Sequence, residues 1–131
     1  VKGHIPERDG VWMGILIMEF MAVTGKSIKQ LIAEIYEKVG SFSFERDDHH
    51  ITNAIKDEVM RKCKNGEVKS IGSRAVVRTE TVDGFKFYLN DDEWIMVRAS
   101  GTEPVLRIYA QTPSTSQSRT LLEEAAKSLM G

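Results

Sequence analysis

The apolar residues of this chain change their period at Gly40, and that change constrains the fold more than any other feature. Before it, Ile28, Leu31, Ile32, Ile35, Tyr36 and Val39 recur at the spacing of one helix face. After it, Ser41-Phe42-Ser43-Phe44-Glu45 alternates apolar with polar. From Arg74 to Gln111 the chain is strand-like again, with turns marked by Asp83-Gly84 and Asn90-Asp91-Asp92. The sequence therefore predicts two parts, 1–40 and 41–131.

In the first part, Asp9 is an N-cap for an apolar run from Val11 to Val23, broken only by Gly14 and Glu19. The run is shorter than the roughly 20 residues of a membrane span and reads as a helix buried on nearly all sides. Such a helix needs neighbours. Together with an opening Val1-Lys2-Gly3-His4 that lacks an initiator Met, this leads to the expectation of a fragment whose first helix packs against something beyond it. Ser27 caps the second helix, and Thr24-Gly25-Lys26 joins the two.

In the second part, Thr52 or Asn53 caps a helix carrying Ile55, Val59 and Cys63, and residues 67–73 read as a loop. Beyond Pro113 a last amphipathic helix carries Leu121, Leu122, Ala125 and Leu129. The order strand, helix, strands, helix predicts an α+β fold. Its antiparallel sheet has four or five strands and two helices on one face, with Ile95, Val97, Leu106 and Ile108 in the core.

Charge narrows the partners. Eighteen Lys and Arg against 19 Asp and Glu give a net charge of −1 over 131 residues, which argues against a broad nucleic-acid or membrane surface. It leaves room for a local anion site. The single cysteine, Cys63, excludes an internal disulfide and fits a cytoplasmic location. No His/Cys cluster has zinc spacing, and His49-His50 would point to opposite faces of a strand.

Residues 93–111 carry the chemistry. Two alternating strands flank a loop from Ala99 to Pro104. Setting Arg98 opposite Val105 puts Ile95 against Ile108 and Val97 against Leu106, so one face is wholly apolar. Arg98 and Arg107 then become diagonal neighbours on the other face. Ser100 and Thr102 add hydroxyls, Gly101 permits close approach or positive φ, and arginine suits the forked grip of phosphate oxygens. The blander alternative is an ordinary turn whose arginines are solvated or paired with Glu93 or Glu103.

Arg98-Ala99-Ser100-Gly101-Thr102-Glu103-Pro104 followed by Arg107 resembles the phosphate-binding loop in the last domain of the α-D-phosphohexomutases, the phosphoglucomutase/phosphomannomutase enzymes. Thr81-Val82-Asp83-Gly84 resembles the hairpin preceding that loop, and Gly3-His4-Ile5-Pro6-Glu7-Arg8-Asp9-Gly10 a segment of the third domain. The resemblance implies that residues 1–40 end the upstream α/β sugar-binding domain. Residues 41–131 would form a C-terminal domain of TATA-binding-protein-like topology. It implies that Arg98, Ser100, Gly101, Thr102 and Arg107 bind the substrate phosphate that is not being transferred, and that His4 and Arg8 line the active site. It also implies that phosphate moves between the 1- and 6-positions of a hexose through a phosphoserine and a bisphosphorylated sugar. The phosphoserine and the Mg²⁺ ligands would lie in domains absent from this chain, which would be inactive alone. Implied partners are a hexose phosphate and the enzyme's own upstream domains, with neither nucleic acid nor membrane. Phosphoglucosamine mutases carry a similar loop and are an alternative. Outside the family the rivals are a nucleic-acid binder stacking bases on Trp94 and Tyr109, and an interaction domain docking through Trp94, Met96 and Tyr109.

Overall fold

The structure is a computed structural model that describes Gly3 and residues 7–131. It divides into two compact units, Val1–Gly40 and Ser41–Gly131.

In the first unit, α1 (Gly10–Thr24) starts where the Asp9 side chain accepts a hydrogen bond from the Trp12 amide at 2.8 Å. α2 (Ile28–Val39) starts with a reciprocal cap between Ser27 and Gln30. Within this unit Val11, Met13, Ile15, Met18, Phe20 and Val23 of α1 are exposed. Its apolar groups run round the whole circumference, and one neighbouring helix can cover only part of it. The two helices meet at an 87° bend, and among the described residues no single helix is long and apolar enough to cross a membrane.

The second unit is α+β. Its strands are β1 (Ser43–His50), β2 (Ser70–Ile71), β3 (Arg74–Ala75), β4 (Arg78–Glu80), β5 (Phe85–Tyr88), β6 (Trp94–Ala99) and β7 (Val105–Thr112). Its helices are α3 (Asn53–Lys64), capped by Thr52, and α4 (Thr115–Met130), capped by Ser114. Five strands form an antiparallel sheet in the order β1-β7-β6-β5-β4. The predicted loop at 67–73 instead contains β2, the first arm of a small hairpin whose Ile71 is fully buried. Val59 and Cys63 of α3 and Leu121, Leu122, Ala125 and Leu129 of α4 share one core with Phe87, Ile95, Val97, Leu106 and Ile108. Helices and apolar sheet face thus meet as the alternation requires.

β1 is longer than its apolar start suggests. Its second half, Arg46-Asp47-Asp48-His49-His50, looks too charged for a strand. Residues on the core side are held by α4, where Arg119 pairs with Glu45 at 2.7 Å and Asp47 at 2.6 Å.

The predicted register between β6 and β7 is displaced by two residues. Arg98 faces Arg107, Val97 faces Ile108, Ile95 faces Ala110 and Ala99 faces Leu106. A shift of two keeps every side chain on its expected face but changes its neighbours. The cause is the turn. Ser100 N–H donates to Val105 O at 2.9 Å and Val105 N–H to Glu103 O at 2.8 Å, so the strands continue through Ala99 and the loop shrinks to residues 101–104.

Cys63 is 3% exposed, and burial pushes its thiol up to about 11. A pKa raised on folding stabilises the protein below the unfolded value, and that stability is lost as pH rises through about 9 to 11. Labelling with iodoacetamide at pH 8 should run roughly 100-fold slower than for a free thiol and reach the free rate in denaturant. Rapid labelling of the folded chain would contradict the packing around α3.

Candidate functional site

The sheet face opposite the core is built in rows by the register. One row runs Asp48, Arg107, Arg98 across β1, β7 and β6, and the next along each strand holds Arg46, Tyr109 and Met96. Arg98 and Arg107, expected as diagonal neighbours, are therefore directly opposite. Like charges in that position repel, so the pair needs counter-ions.

It has two, and neither is the predicted Glu93 or Glu103. Asp83 lies 3.3 Å from Arg98, and Asp48 lies 3.7 Å from Arg107. Glu93 is committed elsewhere, accepting from Arg74 and Asn90, each at 3.0 Å. Asp83 reaches Arg98 because Gly84 takes φ +111°, and a Cβ there would stand 2.6 Å from the Val97 carbonyl oxygen. The Arg107 Nε–H is buried and finds no hydrogen-bond acceptor among the described residues. An unmet donor of this kind costs about 1–3 kcal/mol.

The loop joins the ends of β6 and β7 just beyond this row. Ser100 is half-buried, and Gly101 and Thr102 are exposed. Gly101 does not use positive φ, contrary to one of the two roles foreseen for it, but the space its missing Cβ would occupy is open. The N–H groups of Gly101, Thr102 and Glu103 find no acceptor among the described residues, leaving three successive donors beside two hydroxyls. The loop is tied down from behind. Ile51 N–H donates to Pro104 O at 3.0 Å, and Lys56 Nζ to Glu103 O at 3.3 Å.

Asp48, Arg46, Asp83 and Lys56 are the neighbours that sequence reasoning missed. A signal for the first two was present, because the alternation beginning at Phe44 continues through Arg46, Asp48 and His50. Arg8 is exposed beside the Asp9 cap, and His4 lies outside the described residues. His49 and His50 take opposite faces of β1, against Leu106 and Val105. Among the described residues no group of three His, Cys, Asp or Glu could hold a metal ion. Trp94 is nearly buried, with the Phe44 ring at 5.7 Å and Lys86 Nζ 3.9 Å from its centroid.

A family model described as "Phosphoglucomutase/phosphomannomutase, C-terminal domain" matches residues 58–128, which include Arg98, Arg107, the loop and the hairpin at Asp83. The chain belongs to the phosphoglucomutase/phosphomannomutase family. A second model, for the alpha/beta/alpha domain III of these enzymes, matches residues 1–39. A phosphoglucomutase/phosphomannomutase of Thermococcus kodakarensis is 34% identical over 93% of this chain and 24% of its own length. A phosphoglucosamine mutase of Methanococcus aeolicus is 33% identical over 91% of the chain and 24% of its own. A phosphopentomutase of Thermococcus kodakarensis is 30% identical over 72% of the chain and 21% of its own. The chain spans about a quarter of the length of these curated relatives.

Proposed function

We propose that the unit Ser41–Gly131 is the phosphate-gripping domain of a sugar-phosphate mutase, and that residues 1–40 close its neighbouring sugar-binding domain. Arg98, Ser100, Gly101, Thr102 and Arg107 hold the phosphate that is not being transferred. The complete enzyme moves phosphate between the 1- and 6-positions of a hexose through a phosphoserine and a bisphosphorylated sugar. The serine and the Mg²⁺ ligands come from domains outside this chain, which is inactive alone. The observation that carries this reading is the direct pairing of Arg98 with Arg107 beside three unmatched N–H donors. All of these groups donate, and none is a good nucleophile or base as it stands. Binding energy collected at a remote phosphate orients the reacting end and lowers the barrier there.

A second reading, a phosphoglucosamine mutase, is favoured by the Methanococcus aeolicus relative. The residues of this grip meet phosphate in either case, so the choice of sugar lies outside them.

Titration of the ¹⁵N-labelled chain with inorganic phosphate and with glucose 1-phosphate tests the grip. Both should move the amides of residues 98–107 at constant ionic strength, while chloride leaves them in place. Shifts confined to other segments would overturn the assignment.

A further inference from the structure

The row Asp48–Arg107–Arg98 ends in Asp83 at the other side, so two adjacent cations carry one carboxylate outside each. The two carboxylates are not equivalent. Asp83 stands on a turn, its side chain 67% exposed, against the exposed Arg98. Asp48 is built into β1, its backbone paired with that of Arg107, and its side chain is 33% exposed. Its two oxygens are divided: Oδ1 meets Arg46 Nε at 3.0 Å, and Oδ2 faces Arg107 Nε at 3.7 Å.

We propose that Asp48 is a positioning residue for the phosphate grip, holding the Arg107 guanidinium in the row beside Arg98. The inference rests on the reading of Arg98 and Arg107 as that grip. Two arginines directly opposite each other repel, and without a counter-charge the longer-lived arrangement is one with a guanidinium swung away. Returning it would be charged against binding, as any unpaid ordering is. At 3.7 Å Asp48 attracts Arg107 without taking its hydrogen bond. Arg46, holding the other oxygen, keeps the carboxylate from following its partner.

Positioning and plain charge predict opposite signs, which makes the proposal testable. Deleting a carboxylate near an anion site strengthens anion binding if only the field matters. Inorganic phosphate is titrated into the 131-residue chain and its Asp48→Asn and Asp83→Asn variants at fixed ionic strength. Asp83→Asn should bind about 2-fold tighter, as an exposed competing charge is removed. Asp48→Asn should bind about 5-fold weaker despite losing a negative charge. ¹⁵N relaxation of the arginine Nε–Hε groups, without ligand, supplies a second readout. Arg107 Nε should be more ordered than Arg98 Nε in the unmodified chain, and lose that order in Asp48→Asn. If Asp48→Asn binds as well as or better than the unmodified chain, or if Arg107 and Arg98 are equally mobile, Asp48 does not position the grip, although the grip itself stands. If the unmodified chain shows no phosphate response at residues 98–107, the grip fails and this inference with it.

Discussion

Replacing Arg107 by alanine should weaken phosphate binding about 10- to 100-fold without lowering the melting temperature. The two halves of that expectation come from one side chain. Arg107 Nε is buried and unmet among the described residues, so in the free protein the guanidinium carries a penalty. It also faces Arg98 directly, a repulsive neighbour. Alanine removes both burdens at the cost of some packing by the side-chain stem. In the complex the guanidinium makes charge-assisted hydrogen bonds, each worth about 1.5–3 kcal/mol. Losing one of these accounts for the range, since about 1.4 kcal/mol is tenfold. Arg98→Ala should cost less, because Arg98 is the more exposed of the two, 46% against 32%, and water competes for its fork. Arg107→Lys should restore little, since a single ammonium cannot reproduce the planar donor pair. Calorimetric titration of phosphate, paired with thermal melts, reads both quantities. A variant that loses stability and affinity together would show that Arg107 is a structural residue.

The faces of this sheet were readable from alternation, but the neighbours across it were not. Alternation has a period of two, so Arg98, Arg107, Tyr109 and Met96 fall on one face in any register that differs by an even number. Only the turn decides between those registers. Ala99 is as compatible with a loop as with a strand, and the Ser100–Val105 hydrogen bond that assigns it to the strand has no signature in residue type. The consequence for the site is direct: the expected diagonal arginines are a facing pair, and their counter-ions are Asp48 and Asp83 rather than Glu93 and Glu103. The second half of β1 was hidden for a related reason. Glu45 and Asp47 stand on the core side of an edge strand, and what makes that tolerable is Arg119, more than 70 residues away. The helices, by contrast, announce themselves through local chemistry. The caps at Asp9, Ser27, Thr52 and Ser114 act within three residues of their partners. What local chemistry cannot specify is the surroundings, which is why α1 is legible as a helix and its exposed sides are not.

Ile108→Ala should unfold the second unit more readily than any change at the arginine row. Ile108 is fully buried on β7. It faces Val97 on β6 and Asp47 on β1, with Leu106 and Ala110 two residues away on the same strand face. The sheet backbone is fixed on both sides of it, so the space left by the missing atoms cannot collapse. Where relaxation is blocked, an isoleucine-to-alanine change lies in the upper part of the usual range, about 4 kcal/mol. Domains of this size are stable by roughly 5–15 kcal/mol, so the loss is a large fraction of the total. The melting temperature should fall by roughly 15–25 °C. Val82→Ala is the matched control: Val82 is 97% exposed on the hairpin turn and should change stability by less than about 0.5 kcal/mol. Because Arg107 stands next to Ile108 on the opposite face, phosphate should still bind Ile108→Ala at temperatures where it stays folded. It should also raise its melting point by the same ligand-linked increment as in the unmodified chain. Equal melting temperatures for Ile108→Ala and the unmodified chain would mean that the apolar face of β7 does not pack against α3 and α4.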